Sequence, residues 1–294
     1  MDADSYRHVI QACFPRFSVH TISFLAEGWG SSAWEVNGDY VFRFPKYTEI
    51  NPGLLKEIGV LPALAEGLPL RVPHFEFVWR GGSAYDGLFV GYRKIPGIPL
   101  TPAHLSAPVV RGLASQLAEF LTALHRFPRR RLAGLGIPDA SADDWRRRYT
   151  ALYESVRARI LPLLEPHKRR NLAAIWERFL RDDANFCFTP VLLHADLSSE
   201  HILFDAEHAC ITGIVDWEDI TVGDPALDFT GLLCDYGRGF AARVLTAYQG
   251  PADAAILSRA RFYGAIASCH EVLFGLDFGL EQHVTHALDN LRAL

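Results

Sequence analysis

The chain has 294 residues, 49% of them hydrophobic, with 34 acidic against 29 basic side chains and a formal net charge of −5. That is enough apolar sequence for a large core split between two parts, and the acidic balance argues against nucleic acid or an anionic membrane surface as a partner. Five scattered cysteines without metal-ligand spacing, no uncharged stretch near the ~20 residues of a membrane span, and an acidic start (Met1-Asp2-Ala3-Asp4) with no apolar core behind it predict a reducing, cytoplasmic location without a signal peptide.

From residue 19 to about 95 the pattern is strand-like. Val19 to Leu25, Ala33 to Val36 and Tyr40 to Phe44 read as strands, the last two joined by Asn37-Gly38-Asp39, and Asn-Gly between alternating apolar runs is a strong hairpin signal. Between the first two strands lies Glu27-Gly28-Trp29-Gly30-Ser31-Ser32. Gly28 and Gly30 would let backbone amides approach an anion and Ser31 and Ser32 would add hydroxyl donors, with an ordinary β-turn as the alternative. Arg43 stands alone as a base in the alternating strand Val41-Phe42-Arg43-Phe44, with Lys46 close behind as a competing cation. Leu54, Leu55, Ile58, Leu61 and Leu64 fall on one face of a helix that also carries Glu57, the expected partner of Arg43. Two more strands, Pro73 to Trp79 and Leu88 to Lys94, flank a turn at Gly81-Gly82. After Ile95-Pro96-Gly97 the character becomes helical: 109–124 behind a cap at Ser106, then 142–160, 167–182, and 239–293.

The most informative segment is Val191-Leu192-Leu193-His194-Ala195-Asp196-Leu197-Ser198-Ser199-Glu200-His201-Ile202-Leu203-Phe204-Asp205, followed by Ile214-Val215-Asp216-Trp217. An apolar run delivers His-x-Asp, a polar loop carries a second His, and a further apolar run leads to another Asp. Transfer of a phosphoryl group to a hydroxyl needs this kind of pairing. Asp196 can accept or orient the hydroxyl proton, while Asp216 and His201 hold Mg²⁺ against nucleotide phosphates. Asp216 is a hard oxygen ligand suited to Mg²⁺, whereas the imidazole of His201 is a poorer one.

These residues resemble the aminoglycoside phosphotransferase family, whose loop reads His-x-Asp-x-x-x-x-Asn, then an Asp, then Gly-Asp-Pro-x-x-Asp. Here the matching positions are His194, Asp196, His201 in place of Asn, Asp216, and Gly223-Asp224-Pro225-Ala226-Leu227-Asp228. The His at 201 is shared with the 2″-aminoglycoside and macrolide kinase subgroups.

The resemblance implies an α+β, bilobal protein-kinase-like fold. Residues 1–95 would form a β-rich nucleotide-binding lobe with its hinge at 91–97, and 98–294 an α-rich lobe. It also implies a cleft between the lobes, metal ligation by His201, and Arg43 rather than Lys46 on the phosphates. Tyr92 would be gatekeeper of the base pocket, and Arg93 to Ile95 the backbone hinge to the purine. His194 would have a structural task, and Asp224 would brace the catalytic loop.

The resemblance further implies transfer of the γ-phosphate of ATP or GTP, with Mg²⁺, to an aminoglycoside, at the 2″-hydroxyl, as a monomeric resistance enzyme. The alternatives are a macrolide 2′-phosphotransferase, a metabolic kinase of choline or homoserine type, and a non-catalytic pseudokinase. Acidic residues after position 217 suggest a negative surface for a cationic antibiotic, with Asp219, Asp235 and Glu271 as amine contacts.

Overall fold

The computed structural model describes residues 1–293. They divide into two compact units, the first formed by 1–100, 130–137 and 200–220 and the second by 101–129, 138–199 and 221–293.

In the first unit, helix α1 (Ala3–Cys13) precedes strands β1 (Ile22–Glu27), β2 (Ser31–Val36) and β3 (Tyr40–Pro45). Helix α2 (Asn51–Ala65) follows, then β4 (Phe75–Gly82) and β5 (Tyr85–Arg93). The five strands form one antiparallel sheet in the order β1-β2-β3-β5-β4. The β2–β3 hairpin closes at Asn37 and Gly38, both at positive φ (57° and 80°), which the Asn-Gly dipeptide accommodates with little strain.

Strand alternation gives the sheet two unlike faces. Trp34, Val36, Phe42, Phe44 and Phe89 pack with Ile10 of α1, while Leu88 and Val90 pack with Leu54 of α2. Arg43 lies between Phe42 and Phe44 and so belongs to the α2 face. A smaller sheet, β6 (Ile98–Pro99), β8 (Ile202–Asp205) and β9 (Cys210–Ile214), completes the unit. It is tied down where the Ile214 N–H donates to the Arg71 carbonyl at 2.9 Å. These contacts draw 200–220 into the first unit, a hundred residues beyond the sequence boundary at 95–98.

The second unit is helical: α3 (Val110–His125), α4 (Ala142–Arg159), α5 (Pro166–Arg181), α6 (Thr230–Ala247), α7 (Ile256–Phe278) and α8 (Glu281–Ala293). Its core is aromatic, with Phe179 and Phe262 stacked at 3.6 Å and Trp145 donating to the Tyr263 hydroxyl at 3.0 Å. Ser106 does not cap α3, which starts from Val109 without a side-chain cap. Instead the Ser106 carbonyl receives the N–H groups of Val109 and Val110. A two-stranded ladder of β7 (Val191–Leu193) and β10 (Thr221–Gly223) crosses the unit. Gly223 is required there, since a Cβ would stand 2.1 Å from the Trp145 ring.

Candidate functional site

The first unit assembles an ionic cluster on the α2 face of its sheet. β3 places Arg43 opposite Ala33 and Val90, and α2 brings Glu57 to it from above the apolar contacts of Leu54. Arg43 and Glu57 are both almost fully buried, at 6% and 0% exposure. Arg43 Nη1 donates to both Glu57 oxygens at 3.1 and 3.0 Å. Its Nη2 donates to Asp216 Oδ1 at 3.0 Å and to Glu218 Oε1 at 2.6 Å. Glu57 also accepts the backbone N–H of the fully buried Trp217. His201 Nε2 lies 3.5 Å from Asp216 Oδ2, so the two oxygens of Asp216 face a cation on one side and an imidazole on the other.

Asp216 has φ 64°, a left-handed conformation that costs a non-glycine residue energy and concentrates at functional loops. Burial would lower the Arg43 guanidinium's pKa, but Glu57, Asp216 and Glu218 raise it well above its ordinary value. Burial, then the charges of Asp216 and Glu218, push the Glu57 carboxyl up to about 7 against the pull of Arg43.

A folded-state value above the ordinary 4.5 means that the folded protein holds this proton more tightly than the unfolded chain. The group's contribution is therefore fully present below about pH 4.5 and is lost as pH rises through about 7. Thermal midpoints of wild type and Glu57→Gln, compared from pH 5 to pH 8, are expected to shift in favour of the variant as pH rises. A pH-independent difference would contradict the assignment.

The remaining residues of this half separate clearly. Gly28 donates to the Ser31 carbonyl at 2.9 Å, closing a tight loop between β1 and β2, and a Cβ on Gly30 would press on Ile50 at 3.0 Å. Ser31 Oγ donates to Glu218 Oε1 at 3.0 Å. Ser32 corrects the sequence expectation. Alternation turns it to the other face, where its buried hydroxyl meets Tyr6 and the Trp34 indole N–H, each at 3.3 Å. Lys46 is held by Glu27 (2.6 Å) and the Gly28 carbonyl (2.8 Å), at the loop rather than beside Arg43. Tyr92 is buried on the Arg43 face, across from Val41, and burial pushes its hydroxyl up to about 12. The Arg93 side chain is exposed, reaching Asp39 and Glu76, whereas Ile95 is buried.

The second unit holds the His-x-Asp loop. β7 runs into His194, whose ring Nδ1 receives the Asp196 N–H at 3.3 Å. Ala195 has φ 71°, and its N–H donates to Asp228 Oδ1 at 2.7 Å while that of His194 donates to Oδ2 at 3.0 Å. Asp228 is in turn met by His125 Nε2 at 3.0 Å, and His125 Nδ1 lies 2.6 Å from the Tyr248 hydroxyl. Asp228 therefore holds this loop. Asp224, expected to do so, instead takes a bidentate Arg259 (2.7 and 3.0 Å) and the Tyr263 hydroxyl (2.7 Å). The first residue of the Asp-Pro-x-x-Asp turn points its carboxylate at α7, and the last points back under the loop.

Of the acceptor candidates, Asp219 is exposed. Asp235 accepts the Ser199 N–H at 2.7 Å, and Glu271 lies 3.2 Å from His283 Nδ1, so both have local partners. Glu218, His125 and Tyr248 were not singled out as site residues, and Asp228 entered only as the last residue of the Gly-Asp-Pro-x-x-Asp motif. The only sequence signal for Glu218 is its place two residues after Asp216, and a buried His such as His125 reads as ordinary core.

A buried cation ringed by carboxylates beside a glycine loop, together with a strained His-x-Asp loop, belongs to the kinase class of phosphotransferase. The sequence profile of the phosphotransferase enzyme family matches residues 21–263, and the chain belongs to that family. It is 29% identical to viomycin phosphotransferase of Streptomyces vinaceus over 206 residues, 68% of each chain. Among solved structures it is similar to the GDP and kanamycin complex of APH(2″)-IIIa, with TM-score 0.89, 28% identity, and 98% and 97% of the two chains covered. A macrolide 2′-phosphotransferase type I shares the fold at TM-score 0.80 and 22% identity, covering 99% of both chains. The protein is thus an α+β, kinase-like phosphotransferase that acts on hydroxyl groups.

Proposed function

We propose that the protein transfers the γ-phosphate of ATP or GTP to a hydroxyl of a cationic antibiotic, with an aminoglycoside, at its 2″-hydroxyl, as the leading acceptor. The observation that carries the kinase reading is Arg43, buried in an apolar strand yet joined to Glu57 and Asp216. A fixed guanidinium beside a glycine loop suits phosphate oxygens, and with Nη1 held by Glu57 it is Nη2 that would meet them. Asp196 accepts the proton of the incoming hydroxyl, and Asp228 keeps its loop in register through two backbone N–H groups. The kanamycin complex of a 28% identical structure supports the acceptor class, and the GDP in it supports a nucleotide donor. The viomycin relative makes viomycin the second acceptor to test. A cytoplasmic location fits this reading, and no helix among the described residues is long and apolar enough to cross a membrane.

The residues also fit Mg²⁺. No group of three or more His, Cys, Asp or Glu that could hold a metal occurs among the described residues. Asp216 Oδ2 and His201 Nε2 lie 3.5 Å apart, and Mg²⁺ is commonly bound through one or two side chains and completed by nucleotide phosphates and water. Asp216 and His201 would hold it, and when bound it would neutralise charge on the transferring phosphate. His201→Ala is expected to raise the Mg²⁺ concentration for half-maximal activity several-fold, with His201→Asn closer to wild type because a carbonyl oxygen remains. Equal Mg²⁺ dependence in all three would remove His201 from the metal.

A single screen tests the acceptor: aminoglycosides, viomycin, macrolides and amino-alcohols, each with ATP and with GTP. Asp219, Asp235 and Glu271 as amine contacts imply a KM for aminoglycoside that rises with salt, because exposed charges are screened beyond about 10 Å at 0.1 M. Asp235→Asn should raise that KM, because it removes the charge while its amide oxygen can still accept the Ser199 N–H. A salt-independent KM, or activity on macrolides alone, would overturn the reading.

A further inference from the structure

Arg43 uses its two terminal nitrogens differently. Nη1 is spent on Glu57, while Nη2 is divided between Asp216 and Glu218. If Asp216 ligates a metal when nucleotide is bound, its hold on Nη2 cannot be relied on in the working enzyme. Glu57 alone would leave the guanidinium free to pivot about Nη1. Glu218 supplies the second point, and the same Oε1 atom also accepts the Ser31 hydroxyl at 3.0 Å. Ser31 is the first residue of β2, directly after the glycine loop, and two residues before Ala33, the cross-strand neighbour of Arg43. Helix α2 closes over Glu218: a Cβ on Gly53 would stand 3.1 Å from the Glu218 carbonyl oxygen and 3.2 Å from its Cβ. The side chain is therefore set by backbone packing rather than by its ion pair alone.

We propose that Glu218 is a positioning residue for phosphoryl transfer, fixing the Arg43 guanidinium and the Ser31 hydroxyl through one oxygen and so registering the glycine loop on the phosphate-binding cation. This rests on the reading of Arg43 as the phosphate cation. Ser31 and Arg43 approach Glu218 from neighbouring strands, so the contact couples loop position to cation position. Gln at 218 keeps the shape and can still accept from Ser31 and Arg43, but it removes the negative charge that pairs with the guanidinium.

The test is nucleotide affinity by calorimetry, with steady-state kinetics alongside. Glu218→Gln is expected to weaken nucleotide binding about tenfold, with or without Mg²⁺, and to raise the nucleotide KM more than it lowers kcat. Ser31→Ala should give a smaller loss, and the double variant less than the product of the two. Amide exchange at residues 28–31 should accelerate in Glu218→Gln. A tether without a role in nucleotide binding would speed exchange but leave affinity unchanged, and that outcome overturns the proposal. So would a loss seen only in the presence of Mg²⁺, which would make Glu218 a metal ligand, or strictly multiplicative effects. Arg43→Ala separates the two readings. If it leaves nucleotide affinity intact, the phosphate assignment itself fails. If it weakens binding while Glu218→Gln does not, only the present proposal fails.

Discussion

Asp196→Asn is expected to lower kcat by about 10²- to 10⁴-fold, the range for loss of a general base, while nucleotide affinity stays close to wild type. Asp196 is exposed at the tip of the loop. Its backbone N–H is fixed by the His194 ring, and the preceding two N–H groups by Asp228. Asp228 holds the loop through the His194 and Ala195 N–H groups, and Asn at 196 keeps those bonds while removing the capacity to take a proton. Arg43, Glu57 and Glu218, to which we assign the nucleotide side, form their bonds within the other unit. The measurement is single-turnover kinetics with an identified acceptor, paired with nucleotide titration. Turnover within a few-fold of wild type would remove Asp196 from catalysis, and a parallel loss of nucleotide binding would indicate a structural defect instead.

The sequence disclosed the elements better than the side-chain partners, for identifiable reasons. Tyr40 to Phe44 was legible because its aromatic and β-branched residues suit a strand, and successive side chains alternate, so Arg43 must lie on the face opposite Phe42 and Phe44. The hairpin before it was legible because Asn37 and Gly38 tolerate positive φ. Ser31 and Ser32 could not be told apart. Strand parity is decided by Trp34 packing against α1, and nothing within the loop reveals it. Asp224 and Asp228 are both buried carboxylates four residues apart on one turn, and which faces the loop depends on Arg259, over thirty residues later. Glu218 was opaque for the same reason. Its meaning lies in Ser31 and Arg43, more than 170 positions away. Local patterns specify backbone, whereas ion clusters are products of tertiary packing.

Asp224→Ala is expected to be the most destabilising single change at this site, at about 3–5 kcal/mol, because it breaks a buried ion pair by removing one partner. Asp224 and Arg259 side chains are both fully buried. The carboxylate satisfies Arg259 Nε and Nη2, the Tyr263 hydroxyl and the Ala226 N–H at 2.7 to 3.0 Å. Truncation leaves Arg259 with the partly exposed Asp253 as its carboxylate partner and leaves the Tyr263 hydroxyl without its Asp224 acceptor. Total stability of ordinary domains is about 5–15 kcal/mol, so a thermal midpoint lower by roughly 10 °C is the expected scale. Replacing both partners, Asp224→Leu with Arg259→Met, should recover much of the loss, since apolar pairs of similar volume commonly substitute for buried ion pairs. The folded fraction of Asp224→Ala, assayed well below its midpoint, should retain most of its kcat because Asp228 still holds the His194–Ala195 backbone. If kcat instead fell by orders of magnitude while the midpoint barely moved, Asp224 would be acting on the catalytic loop after all, and the division of labour between the two carboxylates would be the reverse of the one drawn from their bonds.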